Sequence, residues 1–147
     1  MKQEKTEDQI KQMLVDKGVR PSSQRVAILQ YLSSVTSHPT AECVFGQLSP
    51  NLKSLSRATV YNTLNLLTSK NLIYALTIEG DEQRFDADTS LHGHFKCQCC
   101  GQLIDVMLSK DQQNAVLENV HGFQVDKAHL YLHGNCKQCS KKINKTN

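Results

Sequence analysis

The sequence predicts an α+β chain, a winged helix-turn-helix half followed by a small α/β half folded around a four-cysteine zinc site. Three observations predict it. Up to about residue 70, apolar residues recur at helical spacing, and two short alternating runs follow. Two C-x-x-C pairs, Cys97/Cys100 and Cys136/Cys139, stand 35 residues apart. The charge changes sign with the pattern. Residues 1–70 hold nine Lys/Arg against five Asp/Glu, residues 71–135 hold four against nine, and the last twelve add four lysines and no acid. A basic first half suits a face for nucleic acid, and an acidic middle suits a cation.

At 147 residues and 39% apolar, the chain has room for two small domains, each marginal without a staple. The expected division is 1–83 for the winged helix, 84–90 for a hinge and 91–147 for the second domain. The longest apolar runs are only a few residues, which excludes a transmembrane helix. The opening MKQEKTEDQIKQ is charged and has no apolar stretch, so no secretory signal is expected and a cytoplasmic location is the default. In a reducing compartment the six cysteines are metal ligands or free thiols rather than disulfides.

In chain order, residues 7–17 place Ile10, Met13 and Leu14 on one face, with Gly18 as the residue after the cap. Pro21 and Ser22 open a second helix whose face continues through Val26, Leu29 and Leu32. Thr40 caps a third, with Ala41, Val44, Phe45 and Leu48 at i, i+3, i+4 and i+7, and Pro50 ends it. Cys43 on this apolar helix is expected as a small buried hydrophobe. Ser56 caps a fourth, RATVYNTLNLLTSK, in which Val60, Leu64 and Leu67 share one side. Then NLIYALTIEGDEQRFD reads as two strands around an EGDE turn. Leu72, Tyr74, Leu76 and Ile78 alternate in the first, and Arg84 and Phe85 return.

Helices followed directly by a hairpin are the order of a winged helix-turn-helix. The polar side of the fourth helix then faces the major groove. Arg57, Thr59, Tyr61, Asn62 and Asn65 are the candidate contacts. Arg reaches guanine or phosphate, Asn reads adenine, and Tyr bonds phosphate or packs on a thymine methyl. The bland alternative is a solvated helix face, and the hairpin that follows weighs against it.

In the second half the two C-x-x-C turns present four thiolates. That set suits a closed tetrahedral Zn2+ site, hence a structural one; the alternatives are a redox pair or unpaired thiols. Gly101 eases the first turn. The gap between the pairs has room for a strand, a helix and a strand. Ser109-x-x-Gln112 is a capping-box pattern for a helix ending near Gly122, and FQV and HLYLHG read as strands. Cys99 is left without a role. The remaining ligand types are His38, Asp86, Asp88, His92, His94, Asp105, His121, His129 and His133. His92 and His94, two apart, turn their rings to one face if on a strand. Imidazoles with carboxylates suit Fe2+, Mn2+ or Zn2+, although an isolated H-x-H is also common on surfaces.

GVRPSSQRVAIL together with SRATVYNTLNLL resembles the DNA-binding half of the ferric uptake regulator superfamily, and the likeness spans roughly residues 8–140. Ser22 and Ser23 stand where that family often has Thr-Pro. Asn71 stands where a Gly often ends the helix. The resemblance implies a regulatory metal site built from a His before the third helix, a hinge acid, an H-x-H and an acid after C-x-x-C-G. These match His38, Asp86, His92, His94 and Asp105. Iron-uptake members usually carry Glu at the hinge, whereas the peroxide-stress repressors carry Asp, as here. A further site of many iron-uptake members needs a His and an Asp where this chain has Leu91 and Gly93, so that site is expected to be broken although His129 remains. Asp88 has no part in the family's set.

The resemblance therefore implies a homodimeric repressor that binds a palindromic DNA operator. It would carry a structural Zn2+ and a regulatory Fe2+ or Mn2+, and 91–147 would be the dimerisation domain. Peroxide sensing would run through oxidation of His38 and His92. The alternatives are a metal-uptake repressor whose signal is occupancy alone, a metalloenzyme, and a thiol switch using Cys99. Nothing in the sequence reads as a substrate pocket, and no H-E-x-x-H is present, so no enzyme is expected.

Overall fold

The computed structural model describes residues 4–78, 80, 82–118, 120 and 122–143. His121 and part of the EGDE turn lie outside the described residues. The chain divides into two compact units, residues 1–89 and 90–147.

The first unit opens with α1 (Glu7–Asp16), whose start is a complete capping box. Thr6 accepts from the Gln9 amide, and the Gln9 side chain accepts from the Thr6 amide. Gly18 follows at φ 69°. Ser22 caps α2 (Ser23–Ser34), Thr40 caps α3 (Ala41–Leu48) and Ser56 caps α4 (Arg57–Ser69), each through its side-chain oxygen. The α4 helix ends on Asn71 at φ 55°, the left-handed conformation that Asn tolerates in place of Gly.

A short antiparallel pair, β1 (Tyr74–Leu76) and β2 (Arg84–Asp86), forms the wing, with Ala75 opposite Phe85. The strands are shorter than the alternating run suggested: Leu72 and Ile78 are buried but lie outside them. Ile73, next to Leu72, is also fully buried, so packing against the helices overrides alternation there. Arg84–Asp86, expected as the start of a hinge, is the second strand of the wing.

The core of this unit joins Ile10 and Leu14, Val26, Ile28, Leu29 and Leu32, Val44, Val60, Leu64 and Leu67, with Ile73 just before the wing and Phe85 from it. Cys43 corrects the expectation of burial, because its side chain is exposed. The buried face of α3 runs through Ala41 and Val44, and Cys43 is turned about 100° away from Val44.

The second unit is a three-stranded sheet in the order β4-β3-β5, built from β3 (Gly93–Cys97), β4 (Leu103–Val106) and β5 (Leu130–Gly134). The first two are an antiparallel hairpin. β5 lies parallel to β3 on its other side, so the chain crosses over through α5 (Lys110–Glu118). Ser109 and Gln112 close the anticipated capping box, with bonds of 2.9 and 3.2 Å. One expectation fails, since Phe123–Val125 is not a strand, and one helix had no reading in the sequence: α6 (Lys137–Ile143) begins directly after Cys136. Short C-terminal periodicity of this kind, rich in Lys, carries no apolar stripe to announce a helix.

Leu64 is fully buried among side chains from several elements of the first unit. Leu64→Ala is expected to lower that unit's stability by about 2–5 kcal/mol, read as a lower urea midpoint of the helical circular-dichroism signal. An unchanged midpoint contradicts its place in the core.

Candidate functional site

The second unit has almost no apolar core, and its chemistry begins where that core should be. Its buried cluster consists of Cys97, Cys136 and Cys139, with Phe95 packed against it, and α5 buries no side chain at all. Cys97 ends β3. The turn after it is closed by the Cys97 amide donating to Gln102 O at 2.9 Å and the Gly101 amide donating to Cys97 O at 2.9 Å. Gly101 sits at φ 73°, which a side chain would strain. Cys136 and Cys139 are brought together by the first turn of α6, where the Ser140 amide donates to Cys136 O at 2.9 Å.

The sulfurs of Cys97, Cys100, Cys136 and Cys139 lie within 4.8 Å of one another, and Cys100 Sγ is 3.9 Å from Cys136 Sγ. A tetrahedral ion with metal–sulfur bonds of about 2.3 Å needs sulfurs roughly 3.8 Å apart. The donor set thus fits Zn2+ and leaves no position open. Amide N–H groups, that of Cys100 foremost and then that of Cys136, point at Cys97 and pull its thiol down to about 6. The Cys136 amide makes that bond at 3.2 Å. Those amides favour the thiolate of Cys97, the form that binds metal. Cys99, in the same turn, is exposed and outside the four-sulfur group.

A second group of donors sits on the same unit. His94 lies on β3 directly opposite Asp105 on β4, and His92 precedes the strand by one residue. His92 Nε2 and His94 Nε2 are 3.1 Å apart, and Asp105 Oδ1 is 3.5 Å from the first and 3.6 Å from the second. Ligands about 2.1 Å from one ion lie roughly 3.0–3.4 Å apart, so the three atoms converge at close to the spacing of a cation's coordination sphere. His92 Nδ1 is 2.9 Å from Ser90 O. A carbonyl only accepts, so Nδ1 carries the proton and, in the neutral ring, Nε2 keeps its lone pair for a metal.

The first unit holds a pair of its own. His38, at φ 50°, stands between α2 and α3. The segment is zipped to β2: Phe85 N donates to Pro39 O at 3.1 Å, Thr40 bridges Arg84, and Arg84 Nη1 donates to His38 O at 3.3 Å. That pairing sets His38 Nε2 3.5 Å from Asp86 Oδ2. The other Asp86 oxygen accepts from the Asp88 amide at 2.8 Å. Asp88 thus orients the carboxylate through its backbone, a role sequence reading missed. An Asx-type turn at D-x-D was the available signal.

At Gly93 a side chain would fit only if its neighbours moved by a few tenths of an ångström. A Cβ added at Gly93 would meet Leu130 Cδ2 at 3.2 Å and Val106 Cβ at 3.4 Å.

On α4, Arg57, Tyr61, Asn62 and Asn65 are exposed and Thr59 is half-buried. Arg57 is not idle: its Nε lies 3.0 Å from Glu42 Oε2, and its guanidinium sits 4.4 Å over the Phe45 ring. Thr59 shares the cap, with Oγ1 2.8 Å from Ser56 Oγ.

With that geometry in place, the pattern of the "Ferric uptake regulator family" matches residues 16–143. The chain belongs to the ferric uptake regulator family. A peroxide operon regulator of Bacillus subtilis is 38% identical over 132 residues, covering 89% of this chain and 91% of that protein. The Pseudomonas aeruginosa ferric uptake regulator, solved with manganese, superposes with a TM-score of 0.73 at 28% identity over 86% of this chain and 96% of that one. PerR from Streptococcus pyogenes, solved as the basis of its peroxide sensing and gene regulation, superposes with a TM-score of 0.51 at 28% identity over 90% and 92%.

Because sulfur ligation stands in for a core in the second unit, Cys136→Ser is expected to remove its zinc. Metal analysis should fall from about one equivalent per chain, the capacity of a single tetrahedral site, to near none. The β signal should be lost while the helices of the first unit persist. Retention of zinc in this variant contradicts the four-sulfur site.

Proposed function

We propose that this chain is a metal-dependent, DNA-binding transcriptional repressor that senses peroxide through oxidation of metal-ligand histidines. The observation that carries the reading is the donor set. It comprises three imidazoles and two Asp carboxylates, with Asp rather than Glu as the hinge acid. The names of the B. subtilis and S. pyogenes relatives support it.

His38 and Asp86 supply two donors, and His92, His94 and Asp105 supply three. Neither group fills the sphere of Fe2+ or Mn2+, and one ion taking all five would tie the first unit to the second. Residues 1–83 would then be the DNA-binding domain, 84–90 the hinge and 91–147 the dimerisation and metal-binding domain, with zinc on Cys97, Cys100, Cys136 and Cys139. To take such a switch from mostly open to mostly closed, metal must favour the DNA-competent conformer by roughly 5 kcal/mol. The closed conformer would set two copies of α4 on successive major grooves of a palindromic operator. Arg57, Thr59, Tyr61, Asn62 and Asn65 supply that face. With duplex DNA as the partner, the reading places the protein in the cytoplasm and gives it no catalytic role.

Bound Fe2+ supplies the one-electron chemistry with peroxide. The chain's part is to hold His38 and His92 where their C2–H positions are oxidised. Each conversion to 2-oxo-histidine takes one oxygen from a peroxide molecule and leaves water. An oxidised ring is a poorer ligand, so the two groups of donors part and repression ends. With Mn2+ that chemistry does not run. The test is mass spectrometry of Fe2+-loaded protein after peroxide. A gain of about 16 Da, one oxygen, on the peptides bearing His38 or His92 is expected, with none after Mn2+ loading. Absence of the gain leaves a repressor that responds to metal alone.

The second unit's apolar surface supports the dimer reading. Phe123 is 78% and Met107 68% exposed, and Val116, Leu117, Val125 and Leu132 are also exposed. Exposed apolar side chains in this number on so small a unit are what an interface would cover. Met107→Glu combined with Phe123→Glu is expected to turn a sedimenting dimer into a monomer without loss of zinc. A persistent dimer overturns this surface as the interface.

A further inference from the structure

We infer that Cys99 is an oxidant-reactive thiol that closes a disulfide with Cys139 and so withdraws that sulfur from the zinc. The inference goes beyond the histidine chemistry proposed above and does not need it. It rests on zinc being held by Cys97, Cys100, Cys136 and Cys139. The turn after β3 carries three cysteines where a metal turn uses two. Cys99 is the one left over, exposed and outside the four-sulfur group. It is not a solitary surface thiol. Hydrogen bonding with the Cys99 side chain is the first of the influences that raise the Cys139 thiol above its ordinary range. The two side chains are therefore in contact, Cys139 buried and Cys99 open to solvent.

The backbone holds this contact in place. The Cys99 amide is among those that point at the Cys97 sulfur, so residue 99 is fixed by the metal turn itself. The Gln98 amide donates to Gly134 O at 2.7 Å, which ties the turn to the end of β5, just ahead of Cys136 and α6. A disulfide needs its sulfurs about 2.05 Å apart, and thiols already in contact reach that by side-chain rotation. Oxidation follows exposure, so Cys99 is the sulfur of this pair that an oxidant meets. With peroxide as the oxidant the chemistry balances. The Cys99 sulfur attacks one peroxide oxygen and the O–O bond breaks. Cys99 becomes a sulfenic acid, and the departing hydroxide takes the thiol proton and leaves as water. The Cys139 sulfur then attacks the Cys99 sulfur and the S–O bond breaks. That hydroxide takes a proton from solvent and leaves as a second water. The two sulfurs give up the electron pair that the peroxide gains. Three sulfurs remain for a four-coordinate ion. Since sulfur ligation stands in for a core here, loss of one ligand loosens the sheet that carries His94 and Asp105.

The test treats the full chain, loaded with Zn2+ and Mn2+, with hydrogen peroxide. Manganese keeps the histidine oxidation from running. A chromogenic zinc chelator reads metal release, and mass spectrometry of tryptic peptides reads the disulfide. Cleavage after Lys137 puts Cys136 and Cys139 on separate peptides, and fragmentation distinguishes Cys99 from Cys97 and Cys100. Wild-type protein is expected to release its zinc as a peptide pair joined through Cys99 and Cys139 appears, lighter by two hydrogens than the two peptides together. Dithiothreitol with added Zn2+ should reverse both changes. Cys99→Ser is expected to hold zinc as wild type does before peroxide, and to lose both the disulfide and the peroxide-driven release. Release from Cys99→Ser as fast as from wild type overturns the inference. So does a wild-type disulfide drawn only from the four ligands, or zinc that stays bound in wild type. Cys99→Ser that holds no zinc before peroxide places Cys99 among the ligands and overturns it as well. The histidine reading is decided separately on Fe2+-loaded protein: oxygen gained there, with zinc retained in the Mn2+ arm, overturns this inference alone.

Discussion

Four sulfurs hold the second unit together. Its three strands and one crossover helix bury little: Cys97, Cys136 and Cys139, with Phe95 against them, are the buried cluster. A few dozen residues that bury so little apolar surface cannot offset the entropy of ordering them. A tetrahedral zinc on these sulfurs would do so by joining the end of β3 to the start of α6. The hairpin that carries His94 and Asp105 is ordered by the same joint, because Cys97 is the last residue of β3. The placement of His92, His94 and Asp105 therefore depends on the four-sulfur group. Their spacing follows from strand register, with His94 opposite Asp105.

The first unit is stabilised in the opposite way. Its helices are capped by side chains and packed on a continuous apolar core, so it needs no metal to fold. One departure from relaxed geometry is His38 at φ 50°, held there by Arg84 and Phe85 pairing with residues 38–40. Unfavourable backbone conformations persist where neighbouring bonds over-determine them, and they gather at functional positions. Here the wing strand that carries Asp86 is also the strand that positions His38. The wing thus serves both the fold of the first unit and the placement of His38 against Asp86.

Much was legible in the sequence because the signals were local. Ser22, Thr40 and Ser56 announced helix starts, Asn71 a helix end, and Ser109 with Gln112 a capping box, and each does what its chemistry allows over three or four residues. The C-x-x-C pairs were legible for the same reason, since a metal turn needs its two ligands at fixed spacing. Cys43 was not. The helix is apolar as a whole, and whether a given position faces in depends on the partner it meets. Phe123–Val125 has strand composition but no pairing partner, and α6 has a helical backbone without an apolar stripe. Arg57 was read as a free cation because Glu42 and Phe45, fifteen and twelve residues earlier, come to it only through packing of α3 against α4.

The sequence alone determined the identity of the donors, the order of the elements, and, through Asp86, which branch of the family the chain resembles. These are matters of residue type and short-range spacing, which covalent connectivity enforces. Tertiary structure decided how the donors are partitioned and aimed. It set four sulfurs within 4.8 Å of one another, fixed the His92 tautomer by a carbonyl two residues away, and left Asp86 one oxygen for His38 by giving the other to the Asp88 amide. Distances between side chains remote in sequence arise from packing, and packing is not written in any one stretch of chain.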